Sequence, residues 1–352
     1  MNKVERVITA LNGGVPDMVP FIFSDVMQNV QEGIVGHPIT DPTYNGINAS
    51  GWLGGPDDHP EVDPVVCCVP EAAQILNLDA INIQAKPPLF VNHVISQGEE
   101  CISGGLINGS EMLNKCKAAM PDPDDEKLFR KMEEMIKEYR CDMAVGVYIR
   151  LGVSPVLLSC GIDNVAYFMA DEDDTLERTI EMYTEWNHRF CKNLNELDFD
   201  YFWSFDDIAY TKSMMISPET FRKYFKEPLK HARKHITKPL IFHSDGNYSR
   251  IIDDILEIGA SALHPIERES INSQWLVDNY KGKVAFIGNV DIDHILTDAT
   301  EEEVYEDVRS RIELFGPGGG YLICESNSIA SWCTPRNVIV MSKAVEKYRH
   351  IY

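Results

Sequence analysis

Basic residues are scarce in this sequence. Lys and Arg number 32 while Asp and Glu number 55, so the 352 residues carry a formal net charge of −23. A charge of this sign repels phosphate backbones and anionic lipid headgroups. We therefore expect no nucleic-acid partner and no membrane partner.

Long apolar runs and secretory signals are missing as well. No stretch approaches the about 18 consecutive apolar residues that a membrane-spanning helix needs. Residues 1–14 are charged and periodic, unlike the apolar core of a signal peptide. The nine cysteines form no C-x-x-C motif, and an odd number in a chain of this size predicts reduced thiols. These absences predict a cytoplasmic protein.

Two nucleotide-binding signatures are also absent. No G-x-G-x-x-G follows the first predicted strand, as an open dinucleotide-binding sheet would require. The glycine-rich segment at 316–320 is not followed by Gly-Lys-Ser/Thr, so it is a turn and not a phosphate-binding loop. A parallel sheet without these motifs favours a closed barrel.

Eight short apolar segments bounded by turn residues predict β-strands. They occupy residues 19–23, 79–84, 143–149, 201–205, 239–244, 261–266, 284–290 and 321–326. Helical patterns, such as those at 173–197 and 217–236, separate most of them. Because strands that alternate with helices pair in parallel, and eight such units close on themselves, we predict an α/β protein with a (β/α)8 TIM barrel.

The barrel is predicted to be a single domain over residues 1–352 with one insertion at about 85–140. Within the insertion, residues 91–107 alternate and turn like a hairpin, and residues 121–139 are polar and helical in pattern. The insertion is thus expected to add a hairpin and helical segments to the barrel.

Polar residues cluster where the predicted strands end, and a barrel of this kind carries its chemistry at that face. The fourth strand leads into Asp206 and Asp207, the fifth contains His243 and is followed by Asp245, and the sixth leads into Glu267. The eighth strand and the loop after it contribute Glu325, Asn327 and Cys333. So many carboxylates at one face repel each other unless a cation or a substrate relieves them.

A metal site is one interpretation of this pattern. A histidine with two carboxylates and a nearby thiol is a ligand set that zinc accepts, so His243, Glu267 and either Asp245 or Cys333 are candidate ligands. The alternatives are a strand-end histidine bonded to a carbonyl, a network of plain ion pairs, and a Cys333 that packs beside Trp332. The sequence leaves these alternatives open.

Other residues of this face are candidates for catalysis and substrate binding. Asp207 is a candidate base or polar clamp; alternatively, one member of the 206–207 pair caps the following helix and the other binds a loop. Four aromatic residues near strand ends are candidates for the wall of an aryl pocket. They are Phe23, Tyr148, Trp203 and Trp332.

Residues 240–267, 284–296 and 316–341, together with the aspartate pair at 206–207, resemble the uroporphyrinogen decarboxylase superfamily. Residues 4–21 resemble it more loosely. The superfamily contains the decarboxylase itself and barrel methyltransferases that move methyl groups to or from a cobalamin-binding partner protein. The decarboxylase places an arginine just after its first strand, whereas residues 21–34 contain no Arg or Lys. The methyltransferase branch is therefore the better match.

Methyltransferases of this branch that alkylate a thiol carry an H-x-C zinc motif and a distant second Cys. The present sequence has His243 in common with them, but Asp245 and Asn327 stand in the two Cys positions, and Glu267 matches a family acid near the metal. An oxygen-rich site suits activation of an ether or amine donor better than activation of a thiol. The chain therefore resembles the substrate-demethylating methyltransferases.

The resemblance implies an enzyme that takes a methyl group from a small methoxylated, aromatic substrate and passes it to the cob(I)alamin of a corrinoid protein. It implies zinc as the metal, with Asp207, Asp245 and Asn327 as catalytic residues. Three alternatives stay open: a decarboxylase-like lyase, a methylcobamide:thiol methyltransferase, and a non-catalytic docking subunit for the corrinoid protein. A homodimer is a further hypothesis, because the sequence does not determine the oligomeric state.

Overall fold

The computed structural model describes residues 1–40, 44, 51–96 and 99–352. The strands are Leu53–Gly54 (β1), Val65–Val66 (β2), Ala80–Gln84 (β3), Leu89–Ser96 (β4), Glu99–Gly105 (β5), Ala144–Ile149 (β6), Tyr201–Phe205 (β7), Leu240–His243 (β8), Ala262–His264 (β9), Ala285–Ile287 (β10) and Tyr321–Leu322 (β11).

Helices lie between most of these strands. They are Lys3–Leu11 (α1), Gln28–Val35 (α2), Pro70–Ile75 (α3), Ser110–Ala119 (α4), Glu126–Tyr139 (α5), Val153–Cys160 (α6), Ile162–Ala170 (α7), Thr175–Leu194 (α8), Pro218–Tyr224 (α9), Lys226–Ala232 (α10), Ile252–Ile258 (α11), Ser273–Tyr280 (α12), Glu301–Phe315 (α13) and Pro335–Tyr348 (α14). Ser249–Ile251 is a 3-10 turn.

The main sheet has eight strands in the order β11-β10-β9-β8-β7-β6-β3-β2. Neighbouring strands from β3 to β11 run parallel, and β2 alone pairs antiparallel, with β3. Seven of the eight predicted strands are therefore confirmed as β3 and β6 to β11. The alternation of strands and helices confirms the α/β class.

The first predicted strand, residues 19–23, is not a regular strand in the structure. Phe21 forms an isolated parallel bridge with Ile323, just beyond β11. The Asp79 N–H, just before β3, donates to the Phe21 carbonyl at 2.7 Å. This segment thus contacts the two strands of the parallel set that have no further parallel neighbour, although its pairing is too short to make a strand.

A second sheet of three strands combines two strands of the predicted insertion with β1, which precedes it. β4 and β5 form an antiparallel hairpin, as the pattern at 91–107 predicts, and β1 pairs with β4 in parallel. Residues 97–98 of the predicted hairpin lie outside the described residues. Gly105 approaches the backbone of Cys160 and Gly161 so closely that a Cβ there would lie 2.4 Å from each. The hairpin therefore rests on the end of α6.

The helical pattern at 217–236 forms two helices instead of one. Ser217 caps α9 by accepting from the Thr220 N–H at 3.0 Å, as a serine before a first-turn proline predicts. Pro228 has no N–H to bond the carbonyl of Tyr224, the last residue of α9. The chain therefore breaks at Phe225 before α10 begins.

The thiols and the helices agree with two further expectations. All nine cysteines are free thiols, seven of them buried and two, Cys101 and Cys141, exposed. Within the described ranges, no single helix is long and apolar enough to cross a membrane. The consecutive helices α6 and α7 would be long and apolar enough only if taken together, and they meet at a bend of 91°.

Asp79 holds together the end of the sheet opposite the predicted site. Its carboxylate is fully buried and accepts from Arg6 Nη1 at 2.5 Å, from the Phe21 N–H at 2.8 Å and from Arg349. One carboxylate thus joins α1, the segment at 19–23 and the residues after α14. Burial makes each partner dependent on this charge, because water does not replace it.

We predict that Asp79→Asn lowers the free energy of unfolding by about 3–5 kcal/mol, since it leaves two buried arginines short of a counter-charge. Chemical denaturation followed by circular dichroism measures this difference. Asp17→Asn is the matched control, because Asp17 also bonds Arg6 but its side chain is 32% exposed. The control is expected to cost at most about 1 kcal/mol. Equal losses in both variants would contradict the assignment.

Candidate functional site

Three side chains meet at the ends of β7 and β8. The parallel register pairs Phe205 with His243, so Asp207 and Asp245 follow their strands side by side. His243 Nε2 lies 3.4 Å from Asp207 Oδ1 and 3.6 Å from Asp245 Oδ1. One ligand atom from each residue lies within 4.8 Å of the others. This set is called the triad below.

Burial and neighbouring charges both shift the pKa values of the triad residues. Burial raises the pKa of Asp245 to about 7, and the neighbouring carboxylates of Asp207 and Glu267 add to this, while His243 opposes it. Burial also acts to raise the pKa of Asp207, but the hydrogen bond and charge of His243 outweigh it and lower that pKa. The pKa of His243 is raised because Asp207 outweighs the effect of burial. The pKa of each triad residue therefore depends on the charges of the other two.

The triad fits a divalent cation. Asp245 Oδ2 accepts from Asn327 Nδ2 at 2.7 Å, whereas the buried Oδ1 accepts no hydrogen bond from any described residue. Asp245 Oδ1 is also the oxygen that faces His243. A buried carboxylate oxygen without a donor gains most from a cation. One imidazole and two carboxylates are ligands that zinc accepts.

The other predicted metal ligands lie outside the triad. Glu267 Oε2 accepts from the Gly246 N–H at 2.9 Å and from Ser270 Oγ at 2.8 Å. Glu267 borders the same cavity of about 370 Å³ as Asp207 and Asp245. Cys333 is buried, and its Sγ donates to the Ile292 carbonyl at 3.7 Å. Metal binding by Glu267 and Cys333 stays a prediction.

The two aspartates at 206–207 have separate roles. Asp206 is fully buried and accepts from the backbone N–H groups of residues 151–154, at 2.8 to 3.2 Å, and from Ser204 Oγ. It therefore caps the start of α6, which precedes β7 in the chain, and not the following helix α9, which is capped by Ser217. Asp207 instead faces His243.

The four predicted aromatic residues do not share one cavity. Phe23, Tyr148 and Trp203 are buried, and Tyr148 packs edge-on against Trp203 with ring centroids 5.1 Å apart. They border neither of the two cavities at the strand ends. Trp332 is 53% exposed and borders the second cavity, of about 620 Å³, with Asn327 and Glu267. Substrate binding by these four residues stays a prediction.

Sequence reasoning missed two buried cations at this face. Lys86 and Arg150 follow β3 and β6, in positions that the Gln84 to Tyr148 register makes neighbours. Lys86 Nζ lies 4.4 Å from the centroid of the Phe205 ring, which stacks on His243 at 4.2 Å. Burial and then Arg150 lower the pKa of Lys86 to about 7. The signal for both residues was their position just after predicted strands, at 79–84 and 143–149.

Sequence reasoning also missed His264, which ends β9 and pairs in register with His243. Its Nδ1 lies 2.7 Å from Nδ1 of His243. The signal for it was positional, because both histidines occupy the same place near the ends of neighbouring predicted strands. His264 is fully buried and forms the layer beneath the triad.

Comparison with known proteins identifies relatives of this chain. Residues 156–348 match the family model described as uroporphyrinogen decarboxylase (URO-D). Among solved structures, a methyltransferase from Methanosarcina mazei is similar, with a TM-score of 0.73, 15% identity and 99% of each chain covered. A B12-independent methionine synthase from Shewanella sp. W3-18-1 has a TM-score of 0.45 and 12% identity, over 63% of this chain and 66% of its own. Curated protein sequences give no match.

We predict that Asp206→Ala lowers the free energy of unfolding by about 3–5 kcal/mol, because several buried N–H groups lose their acceptor at once. Asp207→Asn is the control; it retains an acceptor for the Asp245 N–H and is expected to change that free energy by about 1 kcal/mol or less. Urea titrations of both variants measure the difference. A stable Asp206→Ala protein would rule out the capping role.

The stability of the protein should also depend on pH through Lys86. Its pKa is about 7 in the folded protein and about 10.4 in an unfolded chain, so the unfolded state binds the extra proton between these values. Stability therefore rises with pH across this window. From pH 7 to pH 9, the wild type should gain about 2 kcal/mol relative to Lys86→Met. The free energy of unfolding of both proteins is measured by denaturation at several pH values. The same dependence of this free energy on pH in wild type and Lys86→Met would contradict the expectation.

Proposed function

Since the chain belongs to the uroporphyrinogen decarboxylase family, we propose that it is a corrinoid-dependent methyltransferase of that family. It transfers a methyl group from a small methoxylated, aromatic substrate to the cob(I)alamin of a corrinoid protein. The single observation that carries the proposal is the oxygen-rich triad of Asp207, His243 and Asp245 at the strand ends. Its ligands suit activation of an ether oxygen better than activation of a thiol.

The proposal includes closure of the sheet into a (β/α)8 barrel. Residues 19–23 would take the place between β11 and β3, and this is supported by the bridge of Phe21 to Ile323 and its bond from Asp79. Closure brings all strand ends to one mouth, where barrel enzymes carry their active sites. The chain as one domain with an insertion is part of the same proposal.

Asp207, His243 and Asp245 would hold the metal, which we propose to be zinc. When bound, zinc supplies Lewis-acid activation of the donor oxygen. Asn327 holds Asp245 in place through its 2.7 Å hydrogen bond, and Glu267 holds the loop after β8 through Gly246. Glu267 borders the cavity and stays a candidate further ligand, as does Cys333.

The cavity beside the triad suits a ring with a polar substituent. Leu157, Leu158 and Met215 give it an apolar side, and Tyr210 lies at its border. Asp207 and Asp245 form the polar side, and the cation that they would hold is the group that would attract the oxygen carrying the methyl group. The lowered pKa of Asp207 beside His243 keeps its carboxylate ionised, which suits it to holding a cation.

The open face at the strand ends is the proposed docking surface for the corrinoid protein. A cobalt centre must approach the methyl group in line with the bond that breaks, so the partner has to cover this face. Tyr210 and Trp332 at the two cavities are 58% and 53% exposed, as expected for side chains that a partner covers. A cytoplasmic location and a homodimer belong to the proposal as hypotheses.

The proposal predicts that His243→Ala loses metal and methyl transfer together. Metal analysis of protein purified without chelators should find about one zinc per chain, and the variant should bind it at least about 100-fold more weakly. Formation of methylcobalamin from methoxylated aromatic donors and reduced corrinoid protein is followed by absorbance. His294→Ala, which replaces an exposed histidine bonded to Asp298, is the matched control. Full activity in folded, metal-free His243→Ala would refute the proposal.

A decarboxylase-like lyase is the second candidate, and the observation that favours it is the pair of buried cations Lys86 and Arg150. A guanidinium, and an amine that an anion would help to protonate, suit an anionic, carboxylated substrate near the mouth. Release of carbon dioxide from such a substrate, without corrinoid protein or metal, would favour the lyase. Binding of the corrinoid protein without turnover of any methyl donor would favour a docking subunit instead.

A further inference from the structure

We propose that His264 is a positioning residue for the metal site: it accepts a hydrogen bond from Nδ1 of His243 and so fixes the tautomer whose Nε2 binds the cation. This inference rests on the proposed metal role of His243. Nothing in the sequence motifs assigned a role to His264, and it does not contact the cavities at the strand ends.

The two rings are fixed by their surroundings. β8 and β9 pair His243 with His264, and their rings lie 4.9 Å apart at an angle of 29°. The two Nδ1 atoms are 2.7 Å apart. Phe205 stacks on His243 at 4.2 Å, and Trp203 packs edge-on against His264 at 4.7 Å. Both histidines are buried, so water does not compete for this hydrogen bond.

A hydrogen bond between two Nδ1 atoms requires a proton on one of them and a lone pair on the other. A metal on Nε2 of His243 takes that lone pair, so the proton of the neutral ring must lie on Nδ1. Nδ1 of His264 is then the acceptor, and the proton of His264 must lie on Nε2. The metal-loaded site therefore allows one arrangement of the two protons.

The groups beneath His264 accommodate this arrangement. Nε2 of His264 lies 3.8 Å from Cys324 Sγ, and that thiol donates to Glu325 Oε2 at 3.0 Å. Glu325 Oε1 in turn accepts from the N–H and the hydroxyl of Ser24, at 2.7 and 2.5 Å. Each group can thus donate to the next, from His243 through His264 and Cys324 to the carboxylate of Glu325.

The position of His264 suits it to the role of acceptor. Its ring is fully buried, and its Nδ1 lies at hydrogen-bond distance, 2.7 Å, from Nδ1 of His243. Histidine ligands of metals commonly donate their second N–H to an acceptor, and loss of that acceptor typically costs 10–100-fold in metal affinity. In this chain the acceptor is a second histidine instead of a carboxylate.

Two substitutions at His264 test the assignment. His264→Phe keeps the ring but removes the acceptor, whereas Oδ1 in His264→Asn can take the place of Nδ1. We measure binding of Co²⁺ and Zn²⁺ to the full-length protein by absorbance and by competition with a chromogenic chelator. We expect His264→Phe to bind both ions about 10–100-fold more weakly and His264→Asn to recover most of the loss.

The tautomers of the wild type give a second test that needs no variant. ¹⁵N NMR of the zinc-loaded protein with labelled histidine should place the His243 proton on Nδ1 and the His264 proton on Nε2. The reverse placement overturns the inference, and so does wild-type affinity in folded His264→Phe. If the wild type binds neither ion, the proposed metal site falls and this inference falls with it; if it binds and His264→Phe is unaffected, only the inference falls.

Discussion

The parallel register of β7, β8 and β9 is the constraint on which the site depends. It pairs Phe205 with His243 and His243 with His264. A slip of one residue between two of these strands would turn every side chain to the opposite face of the sheet. Asp207 and Asp245 would then no longer share a position beside the imidazole. The pairing of the backbones therefore determines which side chains can meet in the triad.

The site also depends on charges that lie inside the protein and not on its surface. The chain has a large excess of acidic residues, yet Lys86 and Arg150 are buried next to the strand ends. Arg150 acts to lower the pKa of Asp207, as does the charge of His243. The net charge thus affects long-range attraction or repulsion of binding partners, whereas a few buried groups determine the electric field at the site.

Much of the fold was predictable because its strands are apolar runs of the expected length between helical patterns. Residues 19–23 were the exception, since their bonds depend on Ile323 and Asp79, which are distant in sequence. Part of the site was predictable too, because His243 and Asp245 lie two residues apart after one strand. The positions of Lys86, Arg150 and His264 next to the triad depend on the register between strands, which a strand pattern does not specify. The burial of Tyr148 and Trp203 against each other also depends on which strands are neighbours, β6 and β7, and a strand pattern does not specify this.

The cap that Asp206 provides for α6 has a mechanical consequence. α6 begins on a carboxylate adjacent to the triad and ends against the backbone of Gly105 in the β4–β5 hairpin. One helix of eight residues thus spans the distance from the reactive face to the insertion. A bulkier residue at Gly105 would have to displace the backbone at the end of α6. We therefore expect such a substitution in the insertion to disturb the contact of α6 with Asp206, next to Asp207, although Gly105 itself lies outside the site.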